Sequence, residues 1–346
     1  MIVRPLKKSD DDLELFRQCF ERNGTSRTSA ALDWQYRENP TRELFVNVAY
    51  DEPSERFAAI YASLPFFARI DGQKRLALQS LDTLTDRDFR GKGLFVQLAR
   101  QTFDVAGAGG AAFIYGFPNR NSAPGFFGKL GWSSLDPVPF LVRPLRTRYM
   151  LARVPGLGTN VDRLPDVPLV YGEPRPGAVE IDRFDDRITH LWSEFAQGIG
   201  FAVERDAAYL NWRLRAKPNS DYTVLGVIER DELIAIVVFA VHEKHGGRIG
   251  YIMECISRPG AEAAARALIG NAVRRMTEQR ADAALAWCFA HSPNYGAFLR
   301  NAFFPLPTRL RPIELHLGVR AFDQSLAPRI TDRRNWYISY LDSDTV

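Results

Sequence analysis

The sequence predicts an α/β chain of the α+β kind. It is expected to form two related domains, each a mixed, mostly antiparallel twisted sheet flanked by helices. Three observations carry that expectation. An extended run at 76–85 is followed by the turn Arg90-Gly-Lys-Gly93 and then by a helical pattern over 93–106. From Arg143 to Val179 the chain turns basic and then crowds with proline and glycine, as connectors do. Beyond that stretch the second half repeats the first in weakened form.

Residues 2–6 read as a first strand. Ser9 with Asp10, Asp11 and Asp12 is a start signal for a helix carrying Leu13, Phe16, Cys19 and Phe20, and Asn23-Gly24 stops it. The polar stretch 25–29 leads into a second helix, 30–37, with Leu32, Trp34 and Tyr36, closed by Asn39-Pro40. Runs 45–50, 56–70 and 76–85 are strand-like, with turn chemistry at Asp51-Glu-Pro-Ser54 and Asp71-Gly72, so they form an antiparallel meander. In the helix that follows, Leu94, Phe95, Leu98, Ala99, Thr102 and Phe103 make one mostly apolar face. Strand, glycine turn and helix together aim free N–H groups and the positive end of a helix dipole at an anion. Gly91 and Gly93 let the main chain approach phosphate oxygens, and Arg90 and Lys92 add positive charge. A second apolar strand, 111–117, then gives way to Pro118-Asn-Arg-Asn-Ser122 and a short helix ending in Phe126-Phe-Gly-Lys-Leu-Gly-Trp132.

The bulk numbers narrow the function classes. The chain has 346 residues, 46% hydrophobic and 25% charged, enough for about two domains. No apolar run approaches the ~20 residues that span a bilayer, so no integral membrane segment is expected. The N-terminus lacks the apolar stretch of a secretory signal. Cys19, Cys255 and Cys288 are odd in number, widely spaced and set in apolar patterns, which reads as free thiols in the cytoplasm. A net charge of +4 suits a phosphate-bearing ligand but not a nucleic-acid partner. His242-x-x-His245 has no further ligand at suitable spacing, so no metal is expected. The basic piece from Arg143 to Arg153 reads as a connector draped over the first domain, with weak membrane-surface contact as the alternative. Nothing in the sequence sets the oligomeric state.

The repeat is specific. Leu32-Asp-Trp-Gln-Tyr-Arg-Glu-Asn-Pro40 is echoed by Leu210-Asn-Trp-Arg-Leu-Arg-Ala-Lys-Pro218. Ile114-Tyr-Gly-Phe117 is echoed by Ala286-Trp-Cys-Phe289, and Asp82 matches Glu254 at the same offset. Strands over 222–229, 233–243 and 248–257 and a helix over 261–279 complete the second copy. Its turn, however, is Ser257-Arg-Pro-Gly-Ala-Glu262, in which Pro259 removes an N–H donor. The expected division is a domain at 1–145 with an intact phosphate turn, a linker at 146–178 and a degenerate copy at 179–346.

The two motifs of the first half, in order and spacing, resemble the GNAT superfamily of acyl-CoA-dependent N-acyltransferases. The family's pyrophosphate pattern, Gln/Arg-x-x-Gly-x-Gly/Ala, is here Arg90-x-x-Gly93-x-Phe95, and its later Lys-Leu-Gly-aromatic signature is Lys129-Leu130-Gly131-Trp132. The resemblance implies two GNAT-like domains and acetyl-CoA as co-substrate. It implies that Thr83, Leu84 and Thr85 face the pantetheine arm. Arg90, Gly91, Lys92, Gly93, Leu94 and Phe95 would cradle the pyrophosphate, and Asn119 or Asn121 would touch the arm. It also implies a small-molecule amine acceptor beside the loop 25–29, with Asp82 as the base that deprotonates it. Glu204 and Asp206 are further carboxylates that face the cleft between the copies in one reading.

Two departures stand out. Phe95 replaces a small residue, so its ring must point into the core. Phe127 replaces the Tyr that commonly protonates the leaving thiolate. Solvent or Tyr115 then takes that role, or the domain is a non-catalytic acyl-CoA binder. A third alternative, a Fem-like aminoacyl-tRNA-dependent peptidyltransferase, is opposed by the intact glycine turn.

Overall fold

The computed structural model describes residues 1–151, 166–170, 177–311 and 313–343. The first half runs β1 (Ile2–Pro5), α1 (Asp10–Arg22), α2 (Ser29–Leu32), β2 (Phe45–Asp51), β3 (Arg56–Ile70), β4 (Gln73–Thr85), α3 (Leu94–Ala108), β5 (Phe113–Gly116), α4 (Ala123–Lys129) and β6 (Ser133–Ser134). Then come β7 (Phe140–Pro144), α5 (Thr147–Leu151), β8 (Ala178–Glu180), α6 (Asp186–Phe195), β9 (Phe201–Val203) and α7 (Ala207–Asn211). The second half continues with β10 (Thr223–Glu229), β11 (Glu232–Lys244), β12 (Gly247–Ser257), α8 (Glu262–Glu278), β13 (Ala283–Trp287), α9 (Tyr295–Leu299), β14 (Phe304–Pro305) and β15 (Gly318–Ala321).

The start signal at Ser9 works as its chemistry requires. Its hydroxyl accepts from the Asp12 amide at 3.4 Å, satisfying an orphan donor of α1. Asp12 in turn accepts from Arg4 at 2.6 and 2.7 Å and from the Lys7 amide at 2.7 Å, tying helix to strand. The apolar face of α1 (Leu13, Phe16, Cys19, Phe20) closes against Val46, Val48, Phe57 and Ile60 of the sheet. The face of α3 (Leu94, Leu98, Ala99, Phe103) covers the same sheet elsewhere. Such burial is worth about 25 cal/mol per Å² of apolar surface, which fixes which face each helix turns inward.

Among the described residues there are two sheets, and their strand orders correspond. The first is β1-β2-β3-β4-β5-β15-β6, with β9 also paired to β3; the second is β8-β10-β11-β12-β13-β7-β14. In each, one central pair is parallel, β4 with β5 and β12 with β13, and the remaining pairs are antiparallel. A helix makes the crossover both times, as parallel strands require.

The sheets trade a strand. β7 lies inside the expected first domain yet pairs with β13, and β15 from the far end of the chain pairs with β5. The boundary at 145 is therefore not a clean cut, because pairing across the halves satisfies an edge on each sheet. The connector also differs from expectation. Leu145 and Arg146 donate their amides to Asp282, and the Tyr149 ring packs over Gly247, so its described part lies on the second half. Arg143 bonds the Asn301 carbonyl at 2.6 Å and Arg146 pairs with Asp166 at 2.8 Å, so both serve the fold. Residues 152–165 and 171–176 of the expected linker, including Arg153, lie outside the described residues.

The two halves meet through their echoed segments. After α2 and after α7 the chain winds one π-helical turn, Asp33–Arg37 and Trp212–Ala216. Trp34 and Trp212 stack at 4.6 Å with their planes 12° apart. Each indole N–H donates to the other's backbone carbonyl, at 2.8 and 2.9 Å. The reciprocal pair of bonds ties the two halves together at the echoed segments.

Candidate functional site

The β4–β5 ladder ends at Ser80–Gly116, and beyond it the two strands diverge. A cleft of about 600 Å³ opens between them, lined by residues 80–85 on one side and 116–119 on the other. Arg90, Phe95, Asn121, Gly125, Phe126 and Trp132 complete the wall. The ladder is tight at its end: a Cβ at Gly116 would come within 3.1 Å of the Ser80 carbonyl, so glycine eases the close pairing there.

At the cleft's outer end Gly91 and Gly93 have φ of +80° and +74°, a conformation that side chains resist. Nothing lies within 4 Å of a Cβ added at either, so the glycines serve backbone angle rather than clearance. Gly93 caps α3 with no side chain on the helix mouth. The exposed turn leaves the first amides of α3 available to an anion. Arg90 lines the cleft beside them, while Lys92 lies over the Phe89 ring at 4.8 Å. Phe95 turns inward, against Phe126 at 5.3 Å and Tyr61 at 6.0 Å, over the bare Gly125. Leu94 is buried in the same core. Asn119 caps the next turn, accepting from the amides of Asn121 and Ser122 at 3.0 and 3.1 Å.

Thr83, Leu84 and Thr85 line the cleft as an edge of β4, whose register against β3 slips by one residue. The slip is a β-bulge, and it re-aims Asp82, which takes φ of +48°. The Asp82 carboxylate lines the cleft floor and accepts from Gln35 at 2.7 Å and Tyr36 at 2.9 Å. It also forms an ion pair with Arg27, from the loop between α1 and α2. Arg27 also lies at 5.5 Å over the ring of Phe20, a residue that lines the cleft. Sequence reasoning marked that loop but not Arg27, Gln35 or Tyr36. The usable signal was that Arg27 precedes α2 as Arg205 precedes α7.

Other expected residues are not brought here. Tyr115 is fully buried, and its hydroxyl donates to the Asp342 carbonyl at 3.0 Å, away from the cleft. Burial pushes that phenol well above its usual range, which unsuits it for proton transfer near neutrality. Phe127 packs against Gly318 and His316. Glu204 is paired with Arg69 at 2.8 Å, while Asp206 caps α7 and pairs with Lys74 at 2.7 Å. Both line a separate pocket of about 190 Å³.

The second half carries the same features in closed form. β12 and β13 part after Ile252–Ala286, but residues 337–342 fill the gap. Its turn seats its own anion: the Glu262 carboxylate accepts from the Gly260 amide at 3.0 Å.

A groove between diverging parallel strands, opening on a bare helix mouth, offers main-chain amides to an anionic group such as a phosphate. Residues 3–135 match the family model described as an acetyltransferase (GNAT) domain. No curated protein sequence matches the chain. Among solved structures it resembles a Saccharomyces cerevisiae N-myristoyltransferase with bound myristoyl-CoA. That match has TM-score 0.58 at 12% identity, over 93% of this chain and 82% of that one. It also resembles a GCN5-related N-acetyltransferase from Anabaena variabilis, with TM-score 0.61 at 12% identity, over 93% and 73%. A probable N-acyltransferase from Enterococcus faecalis gives TM-score 0.62 at 12% identity, over 94% and 74%. At such identities the likeness is one of fold.

Proposed function

We propose that this chain is an acyl-CoA-dependent N-acyltransferase that moves an acetyl group from acetyl-CoA to the amine of a polar small molecule. The observation that carries the reading is the cleft between β4 and β5, with the glycine turn at one end and the Asp82 carboxylate at the other. The turn at 90–95 holds the diphosphate, residues 83–85 face the pantetheine, and Asn119 and Asn121 flank it. Asp82 accepts a proton from the acceptor ammonium. The freed amine attacks the thioester carbonyl, forming the C–N bond as the C–S bond breaks; the nitrogen gives up its second proton to solvent and the thiolate takes one from solvent. A small-molecule donor and acceptor, one acyl-CoA site per chain and a cytoplasmic setting complete the reading. The single site follows from Glu262 and residues 337–342 occupying the second half's equivalents.

A second reading, a non-catalytic acyl-CoA binder, draws on Phe127 and the burial of Tyr115. Thiol release from acetyl-CoA, followed with a panel of amines, separates the two. Amine-dependent release supports the transferase; thermal stabilisation by coenzyme with no release under any amine supports the binder.

A further inference from the structure

The second half contains a filled version of the Arg27–Asp82 pair of the first, whose Asp82 lines the cleft. Arg205 stands to Arg27 at the offset that relates Trp212 to Trp34, and each directly precedes the capping residue of a short helix, Asp206 or Thr28. Glu254 stands to Asp82 at the offset of the β5 and β13 echoes. Each arginine pairs with the carboxylate of its own half, Arg27 with Asp82 and Arg205 with Glu254 at 3.0 Å.

The difference lies in what else they hold. Arg205 also binds the Asp342 carboxylate at 2.7 Å. Glu254 also accepts from the hydroxyls of Ser339, at 2.9 Å, and Tyr337. The chain's own end thus presents a carboxylate to the arginine and hydrogen-bond donors to the acid. In the first half Asp82 lines the cleft, and the Arg27 Nε is buried without a hydrogen-bond partner among the described residues. Gln35 and Tyr36 supply two donors to Asp82, leaving room for one more on its two oxygens.

We propose that Arg27 and Asp82 together recognise an acceptor bearing an amine and a carboxylate on the same carbon: a free α-amino acid. Arg27 takes the carboxylate, for which a planar guanidinium is suited. Asp82 takes the ammonium. The two side chains touch each other, so the two ligand groups must lie one or two carbons apart. This deepens the proposed transferase reading and rests on it.

The test compares each of the common α-amino acids with its decarboxylated amine, phenylalanine with phenethylamine for example, as acceptors of acetyl-CoA. The wild type is expected to favour its best amino acid over the matching amine by roughly 100-fold in kcat/KM, as expected for a lost charged contact. In Arg27→Met that preference is expected to fall to within a few fold, with coenzyme affinity by calorimetry unchanged. Arg27→Lys, which keeps the charge but not the fork, is expected to fall between them, and thermal midpoints confirm folding of both variants. Decarboxylated amines serving as well as amino acids, or an unchanged preference in Arg27→Met, would overturn the inference while leaving the transferase reading intact. If no acceptor is turned over, the same ligands are titrated into the CoA-loaded protein. Carboxylate-dependent binding lost in Arg27→Met would then sustain the recognition, and its absence would sink it.

Discussion

Replacing Arg205 by methionine removes a cation from the best-sealed charged cluster among the described residues. Arg205 is fully buried, as are the side chains of Glu254 and Asp342. The guanidinium bonds Glu254 at 3.0 Å, Asp342 at 2.7 Å and the Val203 carbonyl at 2.7 Å. Methionine fills much of the stem's volume, so the lost cavity term is small and electrostatics decide. Two carboxylates are left without their cation, and breaking a buried pair in this way costs about 3–5 kcal/mol. Urea unfolding monitored by tryptophan fluorescence should show a loss of that size. Adding Glu254→Met and Asp342→Leu should restore most of the loss, since no buried charge then lacks a partner. A single variant within about 1 kcal/mol of wild type at neutral pH would refute the reasoning.

Other predictions follow the same physics. Asp82→Asn should lower turnover by about 10²–10⁴ without changing coenzyme affinity, read by thiol release and calorimetry. Trp212→Ala should cost about 3–5 kcal/mol of stability, whereas Trp34→Phe, which keeps a ring but strands the Trp212 carbonyl, should cost about 1–3 kcal/mol, both measurable by denaturant unfolding. At Asp12, burial alone would raise the carboxyl, but Arg4 and the Lys7 amide outweigh it and hold it below the usual range. Its stabilisation is present above the unfolded pKa, near ~3.9, and is lost as pH falls through the lower folded value. Asp12→Asn should thus destabilise at neutral pH and progressively less below about pH 4, which an unfolding series across pH would reveal.

Much of the first half was legible because its signals are local. The capping serine of α1, the turn at Asp71-Gly72 and the positive-φ glycines before α3 each leave a mark within a few residues of the feature they cause. The strands of the second half fall close to their predicted limits, since Glu232–Lys244 and Gly247–Ser257 flank an obvious turn. The strand exchange was not legible: Phe140–Pro144 reads as a strand, but no local property states which sheet will receive it. Tyr115 was misplaced for a related reason. Alternation puts it on one face of β5, but only the arrival of residues 337–343 from far along the chain decides that this face is sealed. Arg27 could be found only by aligning the halves, because an arginine in a polar loop carries no signal of its own.

The most direct test of the central claim is isothermal titration of acetyl-CoA into the wild type, Gly93→Ala and Gly93→Glu. Alanine adds no charge and strains the φ of +74°, by roughly 1–2 kcal/mol. Glutamate adds the same strain and sets a carboxylate at the helix mouth. The account predicts one site per wild-type chain, weakened binding in the alanine variant and none detectable in the glutamate variant. Equal affinity in all three, or two sites per chain, would contradict it.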